Sequence, residues 1–180
     1  AGGNVAAIAT AMAAGAMTAA QFGGANVDAI AQAVSTGGIR SAVQVGSNVP
    51  AVAQAIAQGS MQAAHTQGAD IGAAAHGTSA GSVSAAQYAG TDVSRVTRAM
   101  SRGMMLGAQA AGANVEKVGQ ATSTGAVQAA TASGANVRAI VQAVSTGAIQ
   151  AATTGGFNLA AIVQAASSGA VSGVATVQKA

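Results

Sequence analysis

The sequence predicts an all-α protein, an α-solenoid of eight helix-turn-helix repeats of 22 residues each. Three observations predict this fold: Asn or Asp recurs every 22 residues without an insertion, Gly recurs at two fixed positions of each unit, and apolar residues recur at helical spacing. A fixed period of this length is typical of repeat architectures, in which stacked units bury a continuous core. We therefore expect residues 1–180 to form a single repeat domain.

Each repeat begins at its Asn or Asp, which we number position 1. These residues are preferred N-caps, because their side-chain oxygen accepts hydrogen bonds from the free N–H groups of the first helical turn. Position 3 is Asp28, Pro50 or Glu116 in three of the repeats, and both Pro and acids suit a first turn. A helix is therefore predicted to start at position 2. The predicted N-caps are Asn4, Asn26, Asn48, Asp70, Asp92, Asn114, Asn136 and Asn158.

The first helix of each unit is predicted to end at position 12, which is always Gly. Positions 2, 5 and 9 are mostly apolar, as in Val137, Ile140 and Val144, and they fall on one side of a helix. A second short helix is then expected at positions 13 to 20, burying positions 14 and 17, and the Gly at position 21 ends it in seven repeats. The predicted helix-terminating residues at position 12 are Gly15, Gly37, Gly59, Gly81, Gly103, Gly125, Gly147 and Gly169.

Two other folds fit the same period. One continuous helix over positions 2 to 20 would keep a Gly inside every helix, at a cost of about 1 kcal/mol each relative to Ala. It would also turn position 14, always Val, Ile or Met, about 120° away from position 2. A β-solenoid is compatible with the glycines, but Ala and Gln are poor strand residues and strict alternation is absent.

The composition offers little catalytic chemistry. Charged residues make up 6% of the chain, and there is no Cys for a disulfide or a thiolate metal site. The histidines, His65 and His76, occupy different repeat positions, and they are too few for a usual metal site. No acid–base–nucleophile arrangement is visible. We therefore predict no catalytic residue, no cofactor and no metal, and a protein that is not an enzyme.

One group of charges is concentrated in the fifth repeat. Arg95, Arg98 and Arg102 share one helix face, and such a basic patch suits phosphate, an acidic glycan or a neighbouring chain's carboxylates. Aromatics are only 2% of the chain, so stacking on bases is not favoured and no nucleic-acid partner is predicted. Residues 139–178 carry no charge, but polar residues recur through them, so no membrane insertion is predicted.

The terminal repeats lack the polar cover that soluble solenoids usually have. The first repeat contains no charged residue and the last contains only Lys179. Uncovered ends favour a head-to-tail contact between copies, which forms a filament when it does not close into a ring. The residues predicted for this end-to-end contact are Val5, Ile8, Met12, Met17, Leu159, Ile162 and Val171.

The leading functional hypothesis is a structural homopolymer in an extracellular filament, fibre or matrix. The bias toward Ala, Gly, Ser, Gln and Val is similar to that of silk-type proteins, in composition only. One alternative is a rod that binds an ice surface through a low-charge face of Ala, Thr and Ser. Its Thr row at position 11, Thr36, Thr124 and Thr146, is interrupted by Gln58, Ala80 and Arg102. A second alternative is a solenoid that binds a glycan, another extracellular polymer or a peptide, which would need more aromatic and charged residues.

Overall fold

The structure is a computed structural model that describes residues 5–178, and these residues form helices and no strand. The all-α repeat architecture predicted from the sequence is confirmed. The eight helices are α1 (Val5–Phe22), α2 (Val27–Gln44), α3 (Val49–Thr66), α4 (Ile71–Tyr88), α5 (Val93–Ala110), α6 (Val115–Ser133), α7 (Val137–Gly155) and α8 (Leu159–Val177).

The predicted division of each repeat into two short helices is wrong. Each repeat forms one continuous helix of 18 or 19 residues, which is the first of the two alternatives. The glycines at position 12 therefore do not terminate helices, and all of them lie well inside a helix: Gly15, Gly37, Gly59, Gly81, Gly103, Gly125, Gly147 and Gly169.

Helix starts agree with the sequence prediction. In α2 the Asn26 side chain accepts a hydrogen bond from the backbone N–H of Ala29 at 3.2 Å, and Pro50 lies in the first turn of α3. The same side-chain bond occurs at every described predicted cap, whereas Asn4 lies outside the described residues. The confirmed N-caps are Asn26, Asn48, Asp70, Asp92, Asn114, Asn136 and Asn158.

Helix ends are set by the glycine at position 21 of the repeat. These glycines have φ between 60° and 75°, a left-handed conformation that costs Gly little and other residues more. After Gly24, for example, the N–H of Ala25 donates to the carbonyl of Ala20 at 3.0 Å, which satisfies an otherwise free helix-end carbonyl. The remaining glycines of this kind are Gly46, Gly68, Gly90, Gly112, Gly134 and Gly156.

The helices form two stacks that alternate along the sequence. The most extensive packing joins helices two repeats apart, so α1, α3, α5 and α7 form one stack and α2, α4, α6 and α8 form the other. Consecutive helices contact each other less and belong to opposite stacks. Short turns connect them, so consecutive helices run antiparallel and the helices within one stack run parallel.

The glycines at position 12 are needed for the close approach of helices within a stack. A Cβ built on Gly103 of α5 would lie 2.4 Å from the carbonyl oxygen of Gln54 of α3, and one on Gly147 of α7 would lie 2.3 Å from that of Arg98. At such distances the helix backbones touch, which only a residue without a Cβ allows. The additional packing offsets the helix-propensity cost that argued against one long helix.

Residues on either side of this glycine extend the same contact. Positions 8, 12 and 16 of each helix, here called the small-residue stripe, are all Ala, Gly or Ser. They pack on positions 3, 7 and 11 of the helix two repeats earlier, here called the receiving ridge. For example, a Cβ on Gly77 would lie 2.0 Å from the carbonyl oxygen of Asp28, and one on Gly107 would lie 2.8 Å from that of Gln58.

Apolar side chains are buried on several sides of each inner helix, because neighbours cover it from both directions. In α3, Ile56 at position 9 and Met61 at position 14 are both completely buried. One helix can therefore bury all the apolar residues that were predicted to belong to two separate short helices. This explains why position 14 is apolar although it points away from position 2.

Candidate end-to-end interface

The first end of the stacks carries a small-residue stripe without a partner. Among residues 5–178, no helix lies two repeats before α1, and the stripe residues Ala11, Gly15 and Ala19 of α1 are exposed. A Cβ on Gly15 or on Gly37 of α2 would meet no atom within 4 Å, in contrast to the same position in every later helix. The backbone surface that inner helices cover is therefore open at this end.

Apolar side chains beside the open stripes are exposed as well. Ile8 and Met12 of α1 are 63% and 44% exposed, whereas Val52 and Ile56, at the same positions of α3, are buried. With Val45 they line an apolar groove between α1 and α2. This end resembles an internal interface from which one side has been removed.

The opposite end carries receiving ridges without a partner. Arg138, Gln142 and Thr146 of α7 are exposed, and so are Ala160, Gln164 and Ser168 of α8. In earlier helices the carbonyl oxygens of this ridge are in contact with the glycines two repeats later.

Apolar side chains are also uncovered at this second end. Val171 of α8 is 70% exposed, whereas Val127, at the same position of α6, is completely buried. Val163 and Val174 of α8 are partly exposed, and Val174 and Val171 line a shallow apolar groove with Val141 of α7. In the inner helices, the repeats that follow cover these same positions.

Five of the seven residues predicted for end-to-end contact are exposed at these ends: Val5, Ile8, Met12, Leu159 and Val171. The prediction was wrong for the other two, because Met17 is completely buried and Ile162 is 2% exposed. Met17 occupies position 14, which faces the following repeats, and Ile162 occupies position 5, which faces the preceding ones. The two open glycine stripes were not predicted, because glycine at position 12 was interpreted as the end of a helix.

The basic residues predicted to share a helix face do line one groove. Arg95, Arg98 and Arg102 project from α5 beside Gln54 of α3 and Gln150 of α7. Arg95 is exposed and the other two are half-buried.

His76 has partners that sequence reasoning did not find. Its Nδ1 donates to Asp28 Oδ1 at 2.7 Å, and its Nε2 lies 2.8 Å from Gln128 Oε1. These residues belong to α4, α2 and α6, so they link three helices of one stack. Both ring nitrogens are engaged by a carboxylate and an amide, and the histidine thus connects helices rather than contacting a hydroxyl nucleophile.

A second side-chain contact, between a lysine and an aspartate, also joins helices two repeats apart. Lys117 Nζ of α6 donates to Asp70 Oδ1, the N-cap of α4, at 2.9 Å. This hydrogen bond lowers the pKa of Asp70 below its ordinary value of 3.8, and the backbone N–H groups of Ala73 and Gly72 act in the same direction, although partial burial opposes them. More than half of each side chain is exposed, so the pair contributes little to stability.

The threonine row on which the ice-binding alternative depends is divided between the two stacks. Thr36 and Thr124 lie on α2 and α6, whereas Thr146 lies on α7 of the other stack. The Thr124 hydroxyl also lies 3.0 Å from the carbonyl oxygens of Gln120 and Gly169 and is thus directed toward the backbone. These residues do not form one continuous row.

Two helices, α1 and α8, are long and apolar enough to cross a bilayer by length and composition alone. They are also the helices with the fewest neighbours, which leaves their apolar residues uncovered. Among residues 5–178, no group of three His, Cys, Asp or Glu side chains is arranged to hold a metal ion.

Comparison with known proteins supports the fold alone. No family model and no curated protein matches the sequence. The structure is similar to the crystal structure of a de novo designed helical repeat protein, DHR7, with a TM-score of 0.51, 15% sequence identity and coverage of 95% of each chain. At this identity the similarity concerns the helical repeat architecture and not the function.

Proposed function

We propose that the chain is a non-enzymatic structural protein that self-assembles head to tail into an extracellular filament, fibre or matrix. The supporting observation is that its two ends are the two halves of its own internal interface. One end offers open small-residue stripes, and the other offers open receiving ridges. A second copy is the partner that this pair of surfaces fits.

The internal packing defines the register of this contact. In the proposed filament, α1 of one copy packs on α7 of the preceding copy, and α2 packs on α8. Gly15 then approaches the carbonyl of Gln142, and Gly37 approaches that of Gln164, as each inner glycine approaches position 7 two repeats earlier. The contact is heterologous and continues the stacks, so it propagates instead of closing a dimer.

Hydrophobic burial would drive the association. Ile8 and Met12 at one end and Val171 at the other are largely exposed in the single chain. Fully burying a side chain of this size contributes about 1.5–3 kcal/mol. Arg138 is the only charged residue on the two open ridges, so the ends approach each other without appreciable repulsion.

The extracellular and fibrous part of the proposal has compositional support. The chain is rich in Ala and contains 25 Gly, with 6% charged residues. Low charge also permits sideways packing of filaments.

The proposal is tested by measuring particle mass over a range of concentrations with multi-angle light scattering, and by imaging the same samples with negative-stain electron microscopy. We expect the parent chain to grow with concentration and to form filaments. The double variant Gly15→Leu with Gly37→Leu places bulk where a monomer has open space, so it should fold and remain monomeric.

The matched control adds the same bulk elsewhere. Ala110→Leu with Ala132→Leu alters exposed positions on the inner helices α5 and α6 and should assemble like the parent. A parent chain that stays monomeric at high concentration contradicts the proposal, as does assembly of the end variant. Flotation of the parent with lipid vesicles would indicate instead that its apolar ends contact a membrane.

A further inference from the structure

The groove lined by Arg95, Arg98 and Arg102 of α5, here called the arginine groove, departs from the repeat pattern at three positions. Position 4 is Ala in six repeats, and Arg95 replaces it here. Position 7 is Gln in five repeats, and Arg98 replaces it. Position 11 is a small residue in six repeats, and Arg102 replaces it. Three of the chain's seven basic residues are therefore found within eight residues of one helix.

These charges are not neutralised by acids. Among residues 5–178, Asp28 is hydrogen-bonded to His76 and Asp70 is paired with Lys117, and none of the three arginines has a carboxylate partner. Like charges three and four residues apart on a helix repel each other. In addition, Arg102 Nε is buried and has no hydrogen-bond partner. A buried N–H donor without an acceptor is costly, so the folded chain does not fully satisfy this guanidinium group by itself.

The remaining walls of the groove suit an oxyanion. Gln54 of α3 and Gln150 of α7 line the groove beside the arginines, their side-chain amides are able to donate hydrogen bonds, and no acid is among the lining residues. Guanidinium groups bind the oxygens of phosphate and sulfate through paired, charge-assisted hydrogen bonds. The groove has a volume of about 330 Å³ and is open to solvent, so it has room for such a group either free or attached to a larger molecule.

We propose that Arg95, Arg98 and Arg102, together with Gln54 and Gln150, form a binding site for a tetrahedral oxyanion group, phosphate or sulfate, on the side of the rod. This site is separate from both ends, and it does not depend on head-to-tail assembly.

The experiment measures binding of inorganic phosphate, and separately of inorganic sulfate, to the full chain by isothermal titration calorimetry at low ionic strength. The site variant is Arg98→Gln with Arg102→Thr, which restores residues found at these positions in other repeats and should fold. Its control is Arg40→Gln with Lys117→Gln, which removes the same charge from exposed positions outside the groove and outside both receiving ridges.

We expect the parent and the control to bind one ion per chain with similar affinity, and the site variant to bind at least about tenfold more weakly, since two charge-assisted contacts are lost. Circular dichroism of each variant verifies folding. Equal weakening in the site variant and the control would show a net-charge effect and overturn the proposal. Binding of a sulfated polysaccharide without any binding of the free ions would overturn it too, because that result indicates general attraction to a polyanion.

Discussion

Replacing the position 12 glycine by alanine should have opposite effects at the end and in the middle of the stacks. At Gly103 the new Cβ would lie 2.4 Å from the carbonyl oxygen of Gln54 and 3.0 Å from its Cα. Ordinary contacts begin at 3.4 Å, so α3 and α5 must separate locally by up to about 1 Å. The obstructing atoms belong to the backbone of a packed helix and cannot rotate away.

The balance of two terms gives the size of the effect. Overpacking a well-packed interior costs about 1–3 kcal/mol. Alanine in a helix interior recovers about 1 kcal/mol relative to glycine. The new Cβ meets backbone on one side and the Cβ of Ala57 on the other, so the upper part of the overpacking range applies, about 2–3 kcal/mol. Gly103→Ala should therefore lower the free energy of unfolding by about 1–2 kcal/mol. Gly15→Ala meets no atom within 4 Å and should raise it by up to about 1 kcal/mol.

Urea denaturation of dilute protein, followed by far-ultraviolet circular dichroism, measures both changes. Gly37→Ala, at the open stripe of α2, serves as a second end variant and should behave like Gly15→Ala. Equal slopes of the transitions must be verified, because repeat arrays can lose two-state behaviour. If Gly103→Ala stabilises the chain as much as the end variants do, the close approach of α3 and α5 is refuted.

Three further predictions concern caps, helix ends and the exposed ion pair. Asn136→Ala removes the bond to the N–H of Ala139 and should cost about 1 kcal/mol in urea denaturation, whereas Asn136→Asp should be nearly neutral. Gly134→Ala places a side chain at φ 73° and should cost about 1–2 kcal/mol, seen as faster amide hydrogen exchange at the end of α6. Because Lys117 lowers the folded-state pKa of Asp70 below 3.8, their pair stabilises the chain above that value, and the contribution is lost as the pH falls through the lowered pKa. Lys117→Ala should thus lower the free energy of unfolding at pH 6 by less than about 1 kcal/mol, seen as a slightly lower urea midpoint, and have no effect in strong acid. An equal effect in strong acid would contradict the assignment.

The features that the sequence predicted correctly are local ones. The repeat period is visible in the sequence itself. The caps and the left-handed glycines such as Gly24 depend on hydrogen bonds within a few residues, so residue type and spacing are enough to recognise them. The glycines at position 12 have the same residue type, but their role depends on a backbone two repeats earlier. Gly103 is favourable inside a helix because the backbone of Gln54 packs where a Cβ would otherwise lie. Local helix propensity cannot reveal this contact.

One sequence signal could have corrected the assignment. Small residues occupy positions 8, 12 and 16 in every repeat, a spacing of four that only an unbroken helix places on one side. The partners of His76 could not have been found in this way, because Asp28 is 48 residues away and the partnership requires the two-stack arrangement. The contact residues at the ends were predicted only in part. Apolar character identifies residues that pack against a neighbour, but it does not indicate whether that neighbour is the preceding or the following repeat.

The alternation of stacks has a consequence for how such a chain can change in length. The most extensive packing joins helices two repeats apart in the same stack, and one lateral groove is lined by Arg98 of α5 together with Pro50 of α3 and Gln150 of α7. Gain or loss of one 22-residue unit would transfer every later helix to the other side of the molecule and separate such neighbours. Duplication or deletion of units in pairs would keep them together, so we expect the lateral surfaces of this protein to be preserved only when its length changes in 44-residue steps.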